Sequence, residues 1–218
     1  MGRLLASIVF PAQCLLCQRH HEEAMPWLCA DCARHLLELR SPRITTAAGN
    51  LPVFSAWLFD DTLQAVIHHL KYHQHFSIGS WLGQKLAGAA LQEGVLRGAD
   101  MLVPVPLHRR RYAERGFNQS EKLVQGVRTV LPSAVPLQAL RRVRYTRTQA
   151  TLTREERLQN VQGAFELRPS AVGAMAGRRV VLVDDVLTTG STLAECVRVL
   201  QTARPSEVLA LTVCRARD

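Results

Sequence analysis

With 218 residues, 47% of them hydrophobic and 21% charged, the chain has ordinary globular composition and enough apolar material for one sizeable core. No stretch approaches the roughly 20 apolar residues of a membrane-spanning helix, so membrane insertion is not expected, and no low-complexity tract or repeat marks a disordered or solenoid protein. The formal charge of +9 is concentrated: residues 101 to 160 hold 12 Lys and Arg against 4 Asp and Glu, which points to a polyanion-facing region, nucleic acid and a diphosphate-bearing metabolite fitting about equally.

The chain opens on MGRLLASIVF, a short apolar run followed at once by Pro11. One early arginine and no small-residue cleavage site favour a short packing helix over a signal peptide, and a soluble cytoplasmic protein is expected. Next come two knuckles, Cys14-x2-Cys17 and Cys29-x2-Cys32, with eleven residues between them. This spacing can deliver four thiolates to one tetrahedral ion, and structural zinc is the favoured reading. A redox or iron–sulfur use of the pairs competes with it; a disulfide framework would need an oxidising compartment that nothing in the sequence signals. Four thiolates leave no open coordination position, so catalysis is not assigned to this metal.

After Pro42 and a polar turn expected from Thr45 to Asn50, VFSAWLF reads as a strand. Asp60 or Asp61 then caps a helix over TLQAVIHHLKYH, where Lys71 and Tyr72 carry little information alone, and a second helix spans residues 76 to about 92. MLVPVPL is a strand entering a turn stiffened by Pro104 and Pro106. Between it and the helical EKLVQGVRTVL lies LHRRRYAERGFNQS, expected as a loop, with Asn118 able to cap the helix that follows. Its arginines Arg109, Arg110, Arg111 and Arg115 sit directly after a strand, where a ligand-binding role competes with a merely solvated basic loop. RRVRYTRTQATLTREERLQN is long for an α/β connection and reads as a functional loop or lid. Within it Arg144, Arg147 and Gln149 could reach an anion, and Thr153 with Glu156 forms a capping box.

The most informative segment is Val180 to Thr192, VVLVDDVLTTGST. Four apolar residues without alternation indicate a central parallel strand covered on both faces. Asp184 and Asp185 are placed where that strand ends, in the crevice where open α/β sheets hold ligands. Thr188, Thr189, Gly190, Ser191 and Thr192 then offer backbone N–H groups, hydroxyls and a helix N-terminus to a phosphate. A nucleotide-hydrolase strand would require an upstream GxxxxGK[ST] loop, which is missing; a receiver-like acidic strand end and a merely structural capped turn are the other rivals. Cys196 and Cys214 are read as small buried hydrophobes.

Taken in order, the two CxxC knuckles, HLKYH, VPVPLHRRRYAERGFNQ, RTQATLTREERLQNVQGAF and VVLVDDVLTTGST resemble the ComF/GntX family over nearly the whole chain. The acidic pair with TTGST is similar to the ribose-phosphate motif of type I phosphoribosyltransferases. The resemblance implies an α/β fold of that type: an open, mostly parallel sheet with flanking helices over residues 46 to 218. A small four-cysteine zinc module with a short N-terminal helix would occupy residues 1 to 45.

It further implies that Asp184 and Asp185 contact the ribose hydroxyls of phosphoribosyl pyrophosphate, directly or partly through magnesium, and that Thr188 to Thr192 hold its 5-phosphate. Leu107, His108 and Arg109 would fall in the pyrophosphate loop, and Arg144 to Leu152 in a closing loop. Arg109, Arg111 and Arg147 would offset charge on the leaving diphosphate. No base-covering hood and no general base for an acceptor are recognisable. Members are associated with DNA uptake or the use of external DNA, so DNA or uptake machinery is an expected partner, as is a second copy of the chain. The competing reading is a non-catalytic nucleic-acid-handling or partner-docking adaptor with a vestigial pocket, against which stands the low aromatic content of 6%.

Overall fold

The structure, a computed structural model, describes residues 12–22, 25, 27–47, 50–73, 75–146 and 154–217. The expected N-terminal helix and the Thr153 cap lie outside them. Strands β1 (Ala12–Gln13) and β2 (His20–His21) pair around the first knuckle, and helix α1 (Ala30–Glu38) starts directly after Cys29. Next comes β3 (Arg40–Ala47), then β4 (Leu51–Leu58). The polar stretch expected to turn at Thr45 is therefore strand as far as Ala47. Antiparallel pairing of Ile44 with Phe54 and Thr45 with Val53 supplies its backbone partners and overrides its turn-like composition.

Helix α2 (Asp61–Tyr72) is capped by Asp60, whose Oδ1 accepts from Leu63 N–H at 2.8 Å, and buries Leu63, Val66, Ile67 and Leu70 on one stripe. Helix α3 (Phe76–Gln92) follows, then β5 (Met101–Pro104). The basic segment after β5, expected as a loop, contains helix α4 (Arg109–Arg115), which ends where Gly116 turns left-handed. Helix α5 (Gln119–Val130) is capped by Asn118 as expected, through Ser120 N–H at 3.1 Å. Then come β6 (Val135–Pro136), β7 (Leu140–Arg142), α6 (Arg154–Val161), β8 (Phe165–Leu167), α7 (Val172–Met175), β9 (Arg179–Leu187), α8 (Ser191–Leu200) and β10 (Glu207–Arg215).

The main sheet has the order β3-β4-β10-β9-β5-β6, with β3 the antiparallel strand and all other pairings parallel; β7 and β8 make a separate two-stranded ribbon. The mostly parallel sheet with flanking helices is as expected. Along β9, Val181 and Val183 enter the core on one face, with residues of α2, α3 and α5. Val180 and Leu182 enter the core on the other, with Leu193, Cys196 and Leu200 of α8. Burial on both faces is why this strand shows no polar alternation. The cysteine-bearing segment joins the first core: Trp27 meets Trp81 edge-on at 5.6 Å, and buried Trp57 donates its indole N–H to Leu36 O at 2.8 Å. No helix among the described residues is long and apolar enough to cross a membrane.

Candidate functional site

The Asp pair was expected at the end of its strand, but β9 continues through both residues to Leu187. The reason is its neighbour: β10 extends the ladder, pairing Thr212 with Asp184, Cys214 with Val186 and Arg215 with Leu187. The carboxylates therefore rise from regular strand and are held rigidly. Asp184 is 9% exposed and Asp185 5%. Asp184 Oδ1 accepts from Ser120 Oγ at 3.0 Å and from Asp185 N–H at 2.9 Å, tying the start of α5 to the floor of the site.

Asp185 has a partner that sequence reasoning passed over. Lys71, in the last turn of α2, forms an ion pair with its Oδ2. The two carboxyls consequently titrate in opposite directions. Burial, reinforced by the charge of Asp185, pushes Asp184 up to about 8. Burial also opposes ionisation of Asp185, but the Lys71 ammonium outweighs it and holds that carboxyl below its ordinary range. For Lys71 burial favours the neutral amine, yet the Asp185 and Asp184 charges win and raise its pKa. The signal for Lys71 was present: it lies four residues after Ile67 and eight after Leu63, a cation on the buried stripe of an amphipathic helix.

Past Leu187 the chain turns through Thr188, Thr189 and Gly190 into α8. Gly190 has φ +75°, and a Cβ there would stand 2.7 Å from the Cβ of Ala47 at the end of β3, so this turn accepts only glycine without strain. Thr188, Gly190, Ser191 and Thr192 line a cleft of about 190 Å³ whose other walls include Lys71, Leu107, Arg111, Arg115, Arg142, Asp184 and Asp185. Thr189 faces a cavity behind the turn, its hydroxyl 2.8 Å from Ser191 Oγ. The N-terminal N–H groups of α8 and these hydroxyls make an anion cradle beside two carboxylates.

Among the residues after β5, Leu107 and Arg111 reach the cleft. His108 is buried and caps α4, its Nδ1 accepting from Arg110 N–H at 3.3 Å; burial, then the charges of Arg109 and Arg142, keep that imidazole neutral, as an acceptor must be. Arg109 is exposed and lines a neighbouring groove. Arg144, expected to reach an anion, instead donates to the carbonyls of Asn160 and Gln162 at 3.2 and 2.6 Å. Arg147, Gln149 and Leu152 lie outside the described residues. Arg115, one of the arginines singled out after β5, also lines the cleft, whereas Arg142 and Gln119 were passed over. Arg142 follows from strand alternation: in β7 Leu140 is buried, Arg141 faces out and Arg142 turns in over the Phe165 ring at 5.1 Å.

The four knuckle cysteines converge as their spacing predicted. Their Sγ atoms all lie within 4.8 Å of one another, and Cys17 and Cys29 are 3.8 Å apart. A tetrahedral ion with metal–sulfur bonds of about 2.3 Å requires sulfur separations of about 3.8 Å, so the set fits zinc. Arg19 Nε lies 3.4 Å from Cys17 Sγ, and this hydrogen bond draws the thiol down to about 6, toward the thiolate a metal needs. Cys196 and Cys214 are fully buried, as read from sequence.

Residues 113–218 match the family described as phosphoribosyl transferase domain. The DNA utilization protein YhgH of Salmonella typhi is 31% identical over 228 residues, covering 95% of this chain and 99% of that protein. Competence protein F of Haemophilus influenzae is 34% identical over 159 residues, covering 72% and 69%. Among solved structures, the glutamine phosphoribosylpyrophosphate amidotransferase of B. subtilis aligns with a TM-score of 0.42 and 23% identity, over 63% of this chain and 26% of that one.

Proposed function

The chain belongs to the ComF family of phosphoribosyltransferase-like proteins, and on that premise we propose that its cleft binds phosphoribosyl pyrophosphate with magnesium, in the service of taking up or using external DNA. The observation that carries this reading is the buried Asp184–Asp185 pair standing beside the Thr188–Thr192 cradle on one cleft wall, with Arg111 and Arg142 on another.

In this reading the cradle holds the 5-phosphate, the two carboxylates accept from the ribose hydroxyls, and Arg111 and Arg142 face the diphosphate. Oxygen-only donors beside substrate phosphates suit magnesium, which keeps several waters and takes one or two carboxylates. Bound there, the ion would neutralise diphosphate charge. The chain's own groups do the rest. Asp184 and Asp185 fix the sugar, and Lys71 keeps Asp185 ionised and available to accept. The two guanidiniums stabilise charge growing on the departing oxygens. The reaction class open to such a complex is displacement of pyrophosphate from the ribose C1 by an acceptor. The four-cysteine set would hold a structural zinc, and thiolates kept for a metal fit a reducing compartment, the cytoplasm.

Calorimetric titration with phosphoribosyl pyrophosphate, with and without magnesium, tests the reading. Saturable, magnesium-dependent binding is expected, weakened at least about tenfold in the Asp184→Asn/Asp185→Asn double variant, because the charge-assisted acceptor at Asp185 and the second carboxyl beside it are both removed. Equal affinity in the double variant would remove the assigned site.

A further inference from the structure

We propose that the groove on the far side of the Pro106–Leu107 turn is a second binding site, for a nucleotide unit, separate from the Asp184–Asp185 cleft. It encloses about 460 Å³, within the usual range for a small-molecule site, and shares Pro106, Leu107 and Arg142 with the cleft while extending away from it to Arg109, Tyr112, Arg141 and Arg168.

Its charges are poorly matched from within. Arg141 is neutralised by Glu166, to which it donates from both Nε and a terminal nitrogen. Glu121, the acidic residue of the lining, accepts from Gln138 Nε2 at 2.9 Å. Arg109 has no hydrogen-bond or ion-pair partner among the described residues, and Arg168 makes only a 3.4 Å bond from Nε to Leu140 O. Arg142 bonds through a terminal nitrogen to Thr146 Oγ1, while its buried Nε has no partner among the described residues. Apart from Arg142, which faces the diphosphate in the cleft, Arg109 and Arg168 leave two guanidiniums with donors to spare around one concavity, a lining that suits a phosphate.

An aromatic face completes the recognition. All three tyrosines of the chain are exposed: Tyr72 by 60%, Tyr112 by 46% and Tyr145 by 43%. Two are already capped by cations, Tyr72 by Arg115 at 5.2 Å and Tyr145 by Arg110 and Arg111 at 5.4 and 5.8 Å. Tyr112, the one that lines the groove, carries no cation over its ring among the described residues, so no charged side chain competes with a base for that ring. Phosphate donors beside an open π-face are the elements that recognise one nucleotide, free or within a single strand. The low aromatic content noted from composition is thus offset by where the tyrosines stand.

The test titrates the full chain with adenosine monophosphate, a short single-stranded oligodeoxynucleotide and inorganic phosphate, in the wild type and in Arg168→Ala, Tyr112→Leu and Asp184→Asn. Nucleotide binding should weaken about tenfold in Arg168→Ala and in Tyr112→Leu and stay unchanged in Asp184→Asn. Tyr112→Leu should spare inorganic phosphate, which has no base to stack. Binding of the mononucleotide identifies a free nucleotide as the source, and binding of the oligonucleotide alone identifies a strand. No binding of either overturns the proposal. So does binding insensitive to Arg168 and Tyr112, or binding lost only in Asp184→Asn, which would place the nucleotide in the cleft. The groove does not depend on the cleft's ligand: wild-type protein that ignores phosphoribosyl pyrophosphate yet shows these sensitivities would refute the cleft reading alone.

Discussion

Lys71 and the two aspartates concentrate the electrostatics of the site into three side chains. Removing the cation leaves Asp185 as a buried carboxylate without compensation, so Lys71→Met should lose about 3 kcal/mol at pH 7 in urea denaturation. Because the folded pKa of Asp185 is depressed, the stability it contributes is present above the ordinary carboxylate range and fades as pH falls through it. The gap between wild type and Lys71→Met should therefore close toward acid pH; a gap independent of pH would show that Lys71 matters only as packing. Asp184 behaves oppositely. Its pKa is raised to about 8, so wild-type stability should decline as pH rises from about 4 toward 8, by at most about 1.4 kcal/mol per pH unit. Asp184→Asn should lack that decline, and parallel stability–pH curves for the two proteins would count against a protonated Asp184 in the free site.

Among elements, α3 and α5 come into backbone contact. A Cβ on Gly83 would sit 2.1 Å from Leu123 O, and one on Gly126 would sit 2.0 Å from Ser80 O, so the backbones touch where side chains would have kept them apart. Gly126→Ala should cost about 1–3 kcal/mol by overpacking. Since α5 also presents Ser120 to Asp184, the same variant should weaken cleft binding; thermal melts and titration together check both. Elements with strong local signals were readable in advance: the apolar run of β9 with its glycine turn, and the helices capped by Asp60 and Asn118. What escaped was decided by distant partners. β3 is strand because β4 lies alongside, and β9 runs past its aspartates because β10 does. The helix α4 was hidden under a composition that reads equally well as solvated loop. Lys71 and Arg142 each occupied a buried position in a periodic pattern, but what they face comes from elsewhere in the chain.

At the scale of the whole molecule, the cysteine segment shares one core with the sheet through Trp27, Leu28, Leu36 and Trp57. Metal loss should accordingly be felt as global destabilisation. Chelation of a zinc-loaded sample is expected to lower Tm by about 10 °C, equivalent to about 3 kcal/mol, and to change the tryptophan emission arising from the Trp27–Trp81 contact. An unaltered melting curve after verified zinc removal would mean that the thiol cluster does not brace the fold. The strand order carries a different kind of consequence. β10, the last strand among the described residues, lies between β4 and β9, so the two pieces β3-β4 and β9-β5-β6 are joined through residues 207–215. Until that segment docks, β4 and β9 each present a bare parallel edge, the kind of surface that templates wrong pairings. The exposure to misassembly therefore lasts until residues 207–215 have docked between the two edges, and a holding chaperone would act in that interval.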